Sequence, residues 1–167
     1  MRLKPNIMMK ILNILVMTAV AFCCCSKGGE NAAEPQPETI EDTTQQIMNQ
    51  EIKISINGQS RIVTLAENSA TNELAKKLQN GAITYNADDY GGFEKVGALG
   101  FSLTADDTRI TTNPGDIMLY NGSQLVIFYG SNTWNYTPIG KINDATADEL
   151  KDFLNAGEGS VAITLTL

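Results

Sequence analysis

From residue 51 onward the chain alternates between apolar and polar positions. Ile52, Ile54 and Ile56 interleave with Lys53 and Ser55, the period-two signature of a strand with one buried face. Asn57-Gly58 follows, a strong short hairpin signal, and residues 61–65 supply the returning strand. Asn68 or Ser69 is placed to cap a helix running to about Gln79. Ala70, Leu74 and Leu78 form its apolar stripe, and Gly81 ends it. Further strands are expected at 82–85, 99–103, 108–111, 117–120, 124–129 and 136–142. Turns at Asn113-Pro114-Gly115-Asp116 and Asn121-Gly122 punctuate them. Thr146 and Glu149 have capping-box spacing, ahead of a second helix that turns Leu150, Phe153 and Leu154 inward. Val161, Ile163, Leu165 and Leu167 close the chain as an alternating strand.

About eight short strands and two helices in residues 51–167, with turns this frequent, favour a mainly β closed barrel over a parallel α/β sheet. No internal repeat or coiled coil is present. Residues 26–50 read differently. They are rich in Glu, Gln, Asn, Thr and Pro, with Pro35 and Pro37 close together, and have too few apolar side chains to offset the entropy of ordering. A flexible acidic linker is expected there.

Residues 1–25 read as an address. Arg2, Lys4 and Lys10 precede an apolar run from Ile11 to Phe22, and Cys23, Cys24 and Cys25 follow. A twelve-residue run spans about 18 Å as a helix, short of a hydrocarbon core of about 30 Å, so a secretory signal is expected rather than a membrane span. A cysteine directly after such a run resembles a bacterial lipobox. Cys24 would place Ala21 three positions upstream. Cys25 is favoured as the lipidated residue, because Ser26-Lys27-Gly28-Gly29 follows it as a polar tether. Ser26 resembles the sorting signal of Gram-negative outer-membrane lipoproteins, which implies an envelope location.

Composition narrows the chemistry. The chain has no histidine, which excludes Ser-His-Asp and Cys-His catalysis, histidine metal sites and histidine pH switches. All three cysteines fall in the N-terminal cluster, so a chain matured at Cys25 keeps no thiol for a disulfide or a metal. Removing the signal takes three of twelve basic residues and none of nineteen acidic ones, leaving a net charge near -10. That balance disfavours nucleic acid, which is held largely by Lys and Arg. It also stands the domain off anionic lipid surfaces. Asp88-Asp89 and Asp106-Asp107 lack calcium-loop spacing and read as turn formers. No metal or cofactor is expected.

Residues 114–127, with Asn121-Gly122-Ser123-Gln124 and then Trp134 ten residues beyond Gln124, resemble the active-site segment of cyclophilins. Gly140-Lys141-Ile142, followed by a helix and a final strand, parallels their C-terminal half. A closer resemblance is to small bacterial cyclophilin-like proteins, through Asp89-Tyr90-Gly91-Gly92-Phe93-Glu94-Lys95, Phe101-Ser102-Leu103 and the block from Pro114 to Gly130. It covers residues 51–167 and implies a closed eight-stranded cyclophilin-like β-barrel with two short helices. It carries no established activity. The Phe-His-Arg segment of true cyclophilins is absent, Ile139 stands where they have histidine, and Val126 where they have phenylalanine. Of that family's site, Gln124 and Trp134 alone match residue by residue.

Several candidates follow. Gln124 can present its amide to a peptide backbone. Trp134, the sole tryptophan, can roof a cleft with its N–H free to bond a ligand carbonyl. Tyr90, Gly91, Gly92, Phe93 and Glu94 form a glycine-bearing loop that a ligand could approach closely, or simply a tight turn. Arg109 is the candidate for a catalytic cation, with Arg61 behind it, although its alternation with Ile110 also fits an outward strand position. The function expected is a monomeric, membrane-anchored lipoprotein binding a peptide or small ligand in a barrel-side cleft. Two alternatives stand beside it: a degenerate prolyl isomerase, and a non-catalytic partner-docking protein.

Overall fold

A computed structural model describes residues 51–167. The signal segment, Cys25 and the linker lie outside the described residues. Nine strands and two helices follow one another as β1 (Glu51–Ile56), β2 (Gln59–Leu65), α1 (Ser69–Leu78), β3 (Ile83–Tyr90), β4 (Glu94–Ala98), β5 (Thr108–Thr111), β6 (Asp116–Tyr120), β7 (Gln124–Phe128), β8 (Thr133–Ile142), α2 (Ala147–Phe153) and β9 (Val161–Thr166). Hydrogen bonding runs in the order β2-β1-β9-β3-β4-β7-β6-β8, and β8 pairs back onto β2. This is the closed, antiparallel eight-stranded barrel with two helices. β5 is an extra strand, paired with β8 alone.

The local chemistry explains the elements. At both hairpin tips Asn and Gly take consecutive positive φ angles, 49° and 80° at Asn57-Gly58 and 49° and 66° at Asn121-Gly122. The first is the conformation that a two-residue hairpin needs, and the second lies in a three-residue loop that ends at Ser123. Asn68 caps α1, accepting from the Thr71 N–H and donating to the Pro138 carbonyl at 2.7 Å, which ties the helix start to β8. Thr146 and Glu149 form the capping box of α2. The closing seam pairs Leu65 with Gly140. A Cβ on Gly140 would meet the Thr64 carbonyl oxygen at 2.5 Å and Val63 Cγ1 at 2.9 Å, so the two backbones approach this closely only because residue 140 has no side chain.

One core fills the barrel. Ile52, Ile54, Ile56, Ile117, Leu119, Leu125, Ile127, Ile163 and Leu165 face inward, and α1 and α2 add Leu74, Leu78, Leu150 and Phe153.

Some expected boundaries move. The alternation of Leu99, Phe101 and Leu103 predicts a strand, yet 99–103 is irregular. Gly100 has φ +82° and breaks the extension. The Leu99 and Leu103 N–H groups donate to Ser123 and Gly122, at the β6–β7 turn. The strand lies just before it, as β4, where Glu94-Lys95 reads in sequence as a solvated loop. Lys95 is instead fully buried. β3 also runs on to Tyr90, and β8 begins three residues early, at Thr133.

Candidate functional site

β6 and β7 are apolar on both faces, and the reason sits outside the barrel. Ile117, Leu119, Leu125 and Ile127 point into the core. Met118, Val126 and Phe128 point outward into a second apolar cluster with Tyr136, against which Phe93, Val96, Ile110 and Tyr120 pack. β5 and the first half of β8 supply the outer part of this cluster, pairing Thr108 with Tyr136 and Ile110 with Trp134.

A cavity of about 320 Å³ opens on this outer face. Strand register explains who lines it, because residues directly opposite in an antiparallel pair share a face. Tyr90 on β3 is opposite Glu94 on β4, and Tyr120 on β6 is opposite Gln124 on β7. These four line the cavity with Val96, Asn132, Trp134 and Tyr136. The Tyr136 ring stands edge-on to Tyr120, centroids 6.1 Å apart, and to Phe128 at 5.5 Å. Asn132 Nδ2 donates to the Tyr136 hydroxyl at 3.0 Å. Asn132 is itself fixed to Thr112, its N–H donating to Thr112 Oγ1 and its carbonyl accepting the Thr112 N–H at 2.8 Å. Tyr90 and Trp134 are 63% and 53% exposed, two of the four large apolar or aromatic side chains most open to solvent among the described residues. Both border this one cavity.

Glu94 is the charged group here. It is 5% exposed, and its Oε2 has no hydrogen-bond partner among the described residues. Burial without a donor penalises the ionised form, and the Glu94 carboxyl is pushed up to about 7. Tyr136 is raised first by its own burial and then by the nearby Glu94 charge. On the opposite face of β4 Lys95 is paired: its Nζ lies 2.8 Å from Asp89 Oδ2 and donates also to the Gly159 carbonyl. Burial pulls the Asp89 carboxyl up, but hydrogen bonds from Lys95, the Gly157 N–H and the Tyr129 hydroxyl outweigh it and hold it below the usual range.

The structure thus brings Tyr90, Glu94, Gln124 and Trp134 together. Gly91 and Gly92 form the β3–β4 turn, both at positive φ. A Cβ on Gly91 would strike the Phe93 ring. Phe93 packs on the outer apolar cluster beneath that turn, so these three shape the loop and do not line the cavity. Arg109 is opposite Asn135 in register, one position off the Ile110–Trp134 pair. It therefore sits on the face of the β5–β8 ribbon turned away from the cavity. Arg61 lies over the Phe153 ring at 5.7 Å. Tyr120, Asn132, Tyr136 and Val96 escaped sequence reasoning. Tyr120 did leave a signal, alternating with Met118 on a strand whose other face was already committed to the core. Among the described residues no group of three or more acidic or thiol side chains is placed to hold a metal ion.

A family model described as "Cyclophilin-like family" matches residues 54–166. Among solved structures, the chain is similar in fold to a hypothetical protein of Archaeoglobus fulgidus determined in solution. The TM-score is 0.50 at 14% identity, over 71% of this chain and 95% of that one. No curated protein matches.

Proposed function

This chain belongs to the cyclophilin-like family, and from that premise we propose that it is a lipid-anchored envelope protein whose barrel binds a peptide or small ligand in the outer-face cavity. One observation carries the binding reading. Two solvent-open aromatic side chains, Tyr90 and Trp134, border a cavity also lined by Glu94, whose buried carboxyl has one oxygen without a hydrogen-bond partner among the described residues. Ligand sites are concave, largely apolar and furnished with a few convergent polar groups. Exposed aromatic surface around such a concavity is otherwise unfavourable in a soluble domain. The cavity holds on the order of ten waters' volume, which suits a single side chain or a small molecule.

The anchor reading rests on the apolar run from Ile11 to Phe22 and the cysteines after it. Cys25 is the lipidated residue, Ser26 directs the product to the outer membrane, and the acidic linker stands the barrel off the lipid.

Fragment binding followed by NMR on the full chain tests the cavity. Binders are expected to shift the Trp134 indole signal and the resonances of Tyr120 and Tyr136. A library whose hits all map elsewhere sinks the reading. For the anchor, Cys25→Ala is expected to move the protein from the membrane to the soluble fraction, and continued membrane association with Cys24 still in place would reassign the lipid to Cys24.

A further inference from the structure

We infer that the cavity recognises an organic ammonium group, with Glu94 as its counter-ion and the rings of Tyr90, Tyr120, Tyr136 and Trp134 as the surrounding aromatic wall. The inference rests on the cavity-binding reading and names the chemical class of the ligand. Three observations converge on it. Glu94 is buried and its Oε2 has no donor, and a native structure rarely leaves such an oxygen unmet. The wall offered to a ligand is aromatic on several sides, and Tyr120 and Tyr136 stand at 66° to one another rather than stacked. Rings at differing inclinations around a carboxylate form the enclosure that attracts a cation through its π faces. Finally, no lysine or arginine lines the cavity, so the positive charge that would complete Glu94 must come from outside.

A primary ammonium suits this site better than a neutral polar group. It can donate to the Glu94 carboxyl where that side chain lines the cavity, and its charge is held by both the carboxylate and the ring quadrupoles. The domain's own field assists capture. Residues 51–167 carry fourteen acidic and eight basic side chains, a balance that steers cations inward.

The same geometry sets a pH dependence. The groups facing Glu94 are Tyr90 from β3, Tyr120 from β6, Gln124 and Phe128 from β7, and Tyr136 from β8. Burial holds the Tyr136 phenol above its ordinary range, an alkylammonium titrates near about 10.4, and the chain has no histidine. Glu94, pushed up to about 7, is the group around the cavity that changes charge between pH 6 and pH 8.

The test is calorimetric titration of the purified full-length chain with n-butylammonium, its neutral counterpart n-butanol, and acetyl-lysine-amide, with Trp134 emission as a second readout. Wild type is expected to prefer n-butylammonium to n-butanol by about tenfold or more, the scale of one charge-assisted hydrogen bond. It should also bind the cation more tightly at pH 8 than at pH 6. Glu94→Gln should remove that preference and flatten the pH profile, while Arg109→Ala, on the far face of the β5–β8 ribbon, leaves both unchanged. Tighter binding of acetyl-lysine-amide assigns the site to peptide-borne lysine, and tighter binding of n-butylammonium to a free amine. Both support the inference. Equal binding of n-butanol and n-butylammonium, or a flat pH profile in wild type, overturns it even if Glu94→Gln fails to fold, and leaves the cavity-binding reading standing. Failure of all three probes overturns the inference, while the fragment experiment decides the reading beneath it.

Discussion

Glu94 and Lys95 are sequence neighbours of opposite charge whose side chains lie on opposite faces of β4. Lys95 turns toward the Ile127 side and ends in a cluster with Asp89 and Gly159. Glu94 turns outward to the cavity, beside Tyr90 and Phe128, with one oxygen unpartnered. A strand's two-residue period separates them. One charge is thereby spent on structure and the other is left available.

Removing the satisfied charge is expected to be costly. Lys95→Met leaves the Asp89 carboxylate, still holding the Tyr129 and Gly157 donors, without its cation. Losing this pair, whose lysine is buried and whose aspartate is partly exposed, destabilises by about 2 kcal/mol, the scale of a charge-assisted hydrogen bond, read as a drop in the denaturant midpoint. Adding Asp89→Asn should recover part of the loss. A double variant no more stable than Lys95→Met alone would show that the pair contributes nothing beyond lysine packing.

Glu94 gives stability a pH dependence of definite sign. Its carboxyl rises from an ordinary 4.5 to about 7 in the folded state, so the native protein binds the proton more tightly than the unfolded chain. The stabilising effect is fully present below about pH 4.5, declines as pH rises, and is gone above about 7. Wild type is expected to lose up to roughly 3 kcal/mol relative to Glu94→Gln between pH 4.5 and pH 8, measured as the difference between their unfolding free energies. A constant difference would place the carboxylate in a solvated position.

Tyr85 sits in the barrel core with a hydroxyl that has no partner among the described residues, and burial holds its phenol well above the ordinary range. Tyr85→Phe removes an unsatisfied polar atom and keeps the ring. It is expected to stabilise by about 1 kcal/mol, seen as a higher melting temperature. A lower one would mean that the hydroxyl has a hydrogen-bond partner.

Gly97 on β4 has no space for a side chain: a Cβ there would overlap the Asn86 carbonyl and stand 2.8 Å from the Tyr85 ring. Since the nearest obstacle is backbone, Gly97→Ala should destabilise by about 1–3 kcal/mol, visible in chemical denaturation. Gly92→Ala meets no atom within 4 Å but holds φ +75°, so its cost is conformational only and about 1 kcal/mol.

Much of the barrel was legible because its signals are local. The Asn-Gly pairs at 57–58 and 121–122 announce their turns through backbone chemistry, and the caps at Asn68 and Thr146 act within one helical turn. β4 was not legible. Its Glu94-Lys95 start resembles a solvated loop unless Asp89, six residues earlier, and Gly159, sixty-four later, are known to receive the lysine. The reverse error at 99–103 has the same root. A fair apolar alternation was present, but Gly100 and the nearby β6–β7 turn overrode it. In the cavity, Gln124 and Trp134 stood out in irregular or turn-flanking positions. Tyr120 and Tyr136 were hidden as ordinary strand aromatics, since only the register across β6, β7 and β8 turns them to the outer face.

The placement of β5 divides the labour of the molecule. Every ladder that closes the barrel is complete without Thr108–Thr111, which hangs by one edge from the first residues of β8. The wall carrying Trp134 is therefore an attachment to a finished container. Substitutions along that ribbon can reshape the outer-face cavity without loosening the closure at Gly140, so selection can alter that face of the protein while leaving its architecture alone.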